Sequence, residues 1–425
     1  MKVTQSKRDA ANILIGTGAS FVGAILGMRV LTQFANEAVF GESRTGLAIT
    51  ALAAAVSGRP FIQFAAIEDP RAEKDGSGHE FWTYCGRRGL TIGFVQSLLV
   101  ALLLIILVQL GYPVSMGCIL AACAICVPDL FAGLGSSVAI SRNRQSLVSV
   151  IELARALGVP LLGAVCIWAL GNHAVVLLGS QAFGVALVAL TYWYFLARGR
   201  WSAARVPRQS EWDRSVRNFA LPLVFVAIFT WIISLADRTL LARFSTMQET
   251  GRYVAVYGLV GTPIVTAGGM AARFLQPRIY RAGAGANSKD RLFRIHLFAN
   301  VLAGIGIATA VVLLRPALVG AALAPPFRIG SERIVPWLAF GHAFLVISQA
   351  VELRSYADRK VARFFFTTGI AALVNVVLNL ALIPRYAAEG AAIATFFSYL
   401  AYLLSSIVLY LRYPPSKDTS GPELG

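Results

Sequence analysis

Charged side chains are scarce in this sequence: they make up 14% of it, against about 25% in an ordinary soluble domain. Acidic residues are the scarcer sign, with 21 Asp and Glu against 38 Lys and Arg. Cysteine occurs five times and histidine four times in 425 residues. The single C-x-x-C, Cys123 to Cys126, has no second pair and no nearby histidine, so it reads as two small packing residues rather than a metal or redox site. No metal and no cofactor is expected. A cleavable leader is not expected either. Lys2, Lys7 and Arg8 precede an apolar run from Ala11 to Met28, which is long for a signal segment and lacks a cleavage site.

What the chain has in abundance is apolar length, 57% of its residues. Runs of about 17–25 apolar residues suit helices that cross a bilayer. Twelve are read, at about 11–34, 44–67, 88–110, 113–139, 150–171, 174–197, 216–241, 252–275, 293–314, 333–354, 361–383 and 389–411. Backbone groups in lipid must be satisfied within the segment, and runs this long mean helices rather than barrel strands. The expected fold is therefore an all-α polytopic membrane protein.

The net charge of +17 lies in short clusters between these runs, which is how inner-membrane proteins fix their orientation; no nucleic-acid partner is expected. Segments on the side of the N-terminus carry 3, 4, 2, 6, 6, 4 and 2 Lys and Arg, 27 in all. The opposite side carries 1, 0, 0, 2, 3 and 1, seven in all, and Arg29, Arg59, Arg155 and Arg238 fall within spans. This asymmetry puts both termini in the cytoplasm of a multi-pass inner-membrane protein. The connections on the far side are short, with no external domain.

The chain also repeats itself. Arg29 begins RVLTQFANEAVFGE and Arg238 begins RTLLARFSTMQETGR; Phe34 to Gly41 spans seven residues, as does Phe244 to Gly251. The offset of 210 is close to half the chain. An even number of spans per half makes the halves parallel repeats facing a central cavity. The predicted organisation is a six-helix bundle at 1–200, a basic cytoplasmic linker at 201–215, a second bundle at 216–412 and a disordered tail at 413–425.

Charges within spans cost about 2.5–3.5 kcal/mol at a helix centre, so they tend to face a cavity or a partner. Arg59 lies mid-span beside Pro60 with Gln63 one turn on, a place from which an arginine cannot easily reach the interface. Arg29 has Thr32 and Gln33 beside it near the end of its span. Arg29, Arg59 and Arg238 are the candidate substrate-binding cations. Asp129, after Pro128, is a candidate counter-ion for Arg59 or an ion-coupling site; Asp237 is a second. Glu152 and Arg155, three apart, are expected to pair locally. Gln63, Asn375 and Asn379 are candidate polar lining, with interhelical hydrogen bonding the alternative for the asparagines. His342, Gln349 and Glu352 are expected to pack.

Two stretches resemble a known family. WIISLADRTLLARFSTMQETGRYVAVYGL resembles the seventh-helix region of bacterial polysaccharide flippases, the exporters of O-antigen and exopolysaccharide repeat units. Their superfamily also holds the multidrug-and-toxin exporters. NVVLNLALIPRYAAEGAAIATFFSYL resembles the last two helices of the same family, apart from Ala387, where the family often has glycine. The resemblance implies outward translocation of an undecaprenyl-diphosphate-linked oligosaccharide by alternating access through a cationic lumen. Membrane lipids, H+ or Na+ as coupling ion, and polysaccharide polymerase and export machinery are the partners it implies. A multidrug or cation antiporter would share the fold but should centre on carboxylates. A major-facilitator transporter should carry a basic Gly-Asp-Arg motif between helices 2 and 3, absent from EDPRAEKDGSGHEFWTYCGRR. A membrane glycosyltransferase or polymerase needs larger outward loops than this sequence offers.

Overall fold

In a computed structural model of the protein, residues 18, 22–23, 25–142, 144–197, 208–281, 286–357 and 361–412 are described. The disordered tail expected at 413–425, residues 201–207 of the linker and the first part of the first span lie outside them.

The described residues form helices and short links, with no strand among them. The first helix, α1, covers 25–34 of the described chain. It is followed by α2 (Glu37–Lys74), α3 (Gly78–Gln109), α4 (Met116–Ser141), α5 (Gln145–Leu170) and α6 (Ala174–Ala197). Beyond the linker come α7 (Gln209–Phe244), α8 (Met247–Arg281), α9 (Ala286–Leu313) and α10 (Ser331–Ala357). The last continuous run, Val361–Arg412, is two helices, α11 and α12, parted at Ala387. Ten helices are long and apolar enough to cross a membrane; counting the run at Ala387 as two and adding α1 gives twelve.

Local signals explain where these helices begin and end. Asn36 caps α2 by accepting the Val39 N–H at 2.8 Å, and Ser115 caps α4 by accepting that of Cys118 at 3.2 Å. Gly111 (φ 82°) and Gly171 (φ 100°) end α3 and α5 in a conformation that only glycine adopts without cost. Between α11 and α12, Pro384 removes a backbone donor, and Ala387 takes φ 46°. It is the one non-glycine residue with positive φ among the described residues.

Two compact units emerge, Met1–Ala255 with Gly320–Ile329, and Val256–Val319 with Gly330–Gly425. In the first, α7 runs against α2, its Trp231 Nε1 donating to the Ala48 carbonyl at 2.6 Å. At 36 residues α7 is about 54 Å long, well beyond a hydrocarbon core of about 30 Å. Its apolar part is Val224–Phe244, and its polar start folds back onto α3. There Trp212, 3% exposed, packs 5.2 Å from the rings of Phe81 and Tyr84. Asp213 accepts from the Tyr84 hydroxyl at 3.0 Å and pairs with Arg88 at 3.1 Å. At the same end, buried Asp69 of α2 takes two hydrogen bonds from Arg142 of α4, at 2.6 and 2.5 Å, and one from Trp82 of α3 at 3.1 Å.

In the second unit α10 is central. His342 Nδ1 donates to the Leu338 carbonyl (2.7 Å), and the ring stacks edge-on to Tyr257 and Tyr399. Glu352 is buried and held by the hydroxyls of Thr367, Tyr402 (2.6 Å) and Ser406 (3.2 Å). On α3 the opposite pattern holds: Leu90, Phe94, Leu98 and Leu102 are exposed at four-residue spacing, a stripe suited to lipid. Together these features make the protein a multi-pass membrane protein.

Candidate functional site

The feature that positions the central cation is a backbone irregularity in α2. Residues Ala54–Gly58 form a π turn, closed by the Arg59 N–H donating to the Ala54 carbonyl five residues back. Pro60 follows at once. A proline has no N–H to continue the α ladder, and its ring presses on the preceding turn, so a widened turn relieves both problems. Gly58 sits where a Cβ would meet Gln96 Nε2 at 2.9 Å and Leu130 at 3.1 Å, so α2 lies close on α3 and α4 there. Beyond the turn, Arg59, Gln63, Ile67 and Arg71 are all exposed, one helical turn apart. The structure thus brings Arg59 and Gln63 onto one face. Arg59 forms no hydrogen bond or ion pair with any described residue.

The repeat gives Arg29 and Arg238 equivalent places. The Arg29 guanidinium donates to the Leu323 carbonyl, while Thr32, beside it, accepts the Ala324 N–H at 3.2 Å. Arg29 therefore ties α1 to the segment after the short helix Arg315–Ala322. The cation whose charge opposes that of Arg238 is Arg44 of α2. Arg44 lies over the Phe40 ring, 4.6 Å from its centroid, and its buried Nε has no hydrogen-bond partner among the described residues. Sequence reading assigned Arg44 to the loop before the second span. The available signal was Phe40 four residues earlier, the spacing at which a guanidinium reaches a ring on the same helix face.

Asp237 is 1% exposed; it accepts from the Tyr253 hydroxyl and from the Arg238 backbone N–H at 2.8 Å. Asp129 pairs with Arg155 at 3.5 Å rather than with Arg59, both side chains being about two-fifths exposed (42% and 36%). The local Glu152–Arg155 pair expected from their spacing does not form. Arg155 reaches across to α4, and Glu152 accepts from the Tyr192 hydroxyl at 3.4 Å on α6. Asn375 and Asn379 are wholly buried and bond to each other, Asn379 Nδ2 donating to the Asn375 Oδ1 and carbonyl oxygen, both at 2.9 Å. That leaves Asn379 Oδ1 and Asn375 Nδ2 buried without a partner among the described residues. Cys123 and Cys126 donate to the Ser97 and Ala122 carbonyls, and all five cysteines are free.

A family model described as "Polysaccharide biosynthesis protein" matches residues 6–282, about two-thirds of the chain. The chain belongs to the polysaccharide biosynthesis protein family. Solved structures agree on the fold of this family member. It is similar to the lipid II flippase MurJ in an inward closed conformation, with a TM-score of 0.70, 11% identity, and 95% of this chain and 88% of that one covered. It is similar to the MATE multidrug transporter DinF-BH, with a TM-score of 0.68, 17% identity and 95% of both chains covered. An inward-facing MATE family transporter of the MOP superfamily aligns with a TM-score of 0.65, 12% identity, and 94% and 93% covered. No curated protein sequence matches. This polysaccharide biosynthesis protein thus shares its fold with the lipid II flippase MurJ and with MATE family transporters.

Proposed function

We propose that the protein is a flippase that moves an undecaprenyl-diphosphate-linked oligosaccharide, a polysaccharide repeat unit, from the inner to the outer leaflet of the bacterial cytoplasmic membrane. The observation that carries this reading is the exposed Arg59 of α2, set by the π turn in mid-helix with Gln63 one turn on. An arginine so placed in hydrocarbon is costly, and a water-filled path that receives an anion removes the cost. A diphosphate leaving water likewise needs fixed cations, and guanidinium suits phosphate because its planar fork donates in pairs and stays charged.

In this reading two six-helix halves, 1–200 and 216–412, surround the path, with the 201–215 linker and both termini in the cytoplasm. Arg59 receives the diphosphate, and Arg44, about 22 Å along the same helix with Arg238 near it, receives it at a later stage of the path. Gln63 serves the sugars, the wholly buried Asn375–Asn379 pair bonds within its own helix, and Arg29 holds the path's wall through Leu323. The Asp129–Arg155 and Asp237 sites are where H+ or Na+ would couple. Outward movement of an anion also runs with an inside-negative potential, gaining about 2.3 kcal/mol per charge per 100 mV. The lipid tail stays in the bilayer, and polymerase and export machinery take the product.

The test is reconstitution into proteoliposomes with a fluorescent lipid-diphosphate oligosaccharide in one leaflet and, separately, a fluorescent organic cation. Movement of the lipid diphosphate, lost in Arg59→Ala at equal protein level, is expected. Cation efflux without lipid-diphosphate movement would instead make the protein a multidrug antiporter.

A further inference from the structure

We propose that Gly41 and Gly251, with the Glu37–Arg252 ion pair beside them, form the gate that closes one end of the transport path. The proposal rests on the transporter reading above and adds to it the residues that open and shut.

Gly41 and Gly251 are equivalent under the 210-residue offset, and so are Glu37 and Met247. A methyl group on Gly41 would overlap the Met247 carbonyl oxygen; one on Gly251 would overlap that of Glu37. The offset exchanges these two contacts, so a local two-fold relation passes between the glycines. Glu37 and Met247 are also the first residues of α2 and α8. The opening turns of the two helices therefore meet backbone to backbone, with room for hydrogen and nothing larger. No solute passes between helices in such contact.

The seal is built to part. At the glycines themselves backbone meets backbone, so parting that contact forfeits little side-chain packing; beside it Met247 is buried in an apolar cluster with Ile49 and Ala53. Each helix is also preceded by only two non-helical residues, Ala35–Asn36 and Ser245–Thr246, about which it can turn. Besides the packing of Met247, an ion pair holds the turns together. Arg252, next to Gly251, donates to Glu37 Oε1 through Nη2 at 3.0 Å and Nε at 3.3 Å, and to Glu249 through Nη1 at 3.1 Å. This lock is one-sided. The offset places Glu42 opposite Arg252, and Glu42 accepts the Ser115 N–H at 2.7 Å instead. A single half-buried ion pair across a glycine contact is a weak bond at a tight seal, as a gate that cycles requires.

The experiment uses the full chain with its five cysteines replaced. Glu37→Cys with Arg252→Cys, bridged by a short bis-methanethiosulfonate reagent, is assayed for movement of the fluorescent lipid-diphosphate oligosaccharide. Bridging should stop most of the movement, and reductant should restore it to the unbridged rate. Independently of substrate, Ser43→Cys, fully buried two residues beyond Gly41, is labelled with a membrane-impermeant maleimide. Adding Arg252→Ala should raise its labelling rate about tenfold, the scale set by losing one partly buried ion pair. The exchange Glu37→Arg with Arg252→Glu should bring it back down. A bridged protein that transports at the unbridged rate, or labelling indifferent to Arg252→Ala, would overturn the gate. If labelling responds as expected while no lipid diphosphate moves even unbridged, the gate stands and the flippase reading falls.

Discussion

The guanidinium groups of Arg44 and Arg238, from α2 and α7, lie close enough for their like charges to oppose each other. Two cations held together inside a membrane protein lower stability, and something other than stability must keep them. An anionic substrate group that the pair receives is the simplest such reason.

That reasoning separates stability from transport. Arg44→Met keeps the apolar stem over Phe40 and removes a buried charge, so the purified variant should unfold at the parent temperature or above it. Replacing buried charges by apolar groups is often neutral or stabilising by about 1–4 kcal/mol. Lipid-diphosphate movement should nevertheless be lost. A variant that melts lower and still transports would remove Arg44 from the site.

Asp69 and Arg142 make a second test. Asp69 is wholly buried and takes both Arg142 bonds, so Asp69→Ala leaves a cation without its main partner. Breaking a buried pair from one side costs about 3–5 kcal/mol, and thermal unfolding in detergent should show a loss of that size. Glu73, which Arg142 also reaches at 2.8 Å, should recover only part of it.

Trp212 fastens the start of α7 to α3. Trp212→Ala empties a space lined by Phe81 and Tyr84, and such truncations cost about 3–5 kcal/mol. Protease sensitivity near the linker should rise with the loss, because Asp213 then holds the segment alone. Equal protection in parent and variant would show that the docking is incidental.

Ala387 holds φ 46° and ψ −124°, where a Cβ is strained and glycine is not. Ala387→Gly should therefore raise stability by about 1 kcal/mol, after the entropy glycine loses on folding. Thermal melting of the two proteins side by side checks the sign.

Sequence alone determined the parts of this protein that depend on local chemistry. Apolar length dictates the helices, because a backbone in lipid must satisfy its own hydrogen bonds. The caps at Asn36 and Ser115 and the break at Pro384 likewise act within a few residues. The Gly41–Gly251 contact falls on positions 210 apart, the offset read between the two similar stretches. Partnership among side chains was decided only by tertiary structure. Spacing suggested Glu152 with Arg155, yet Arg155 took Asp129, and nothing in the sequence pointed Arg29 to the Leu323 carbonyl. Arg44 stayed hidden because a hydropathy window sees an arginine at the edge of a span, not the helix that packs across from it. Which charge meets which is set by the distance between helices remote in sequence, and Coulomb energy depends on that distance and on the dielectric between the charges.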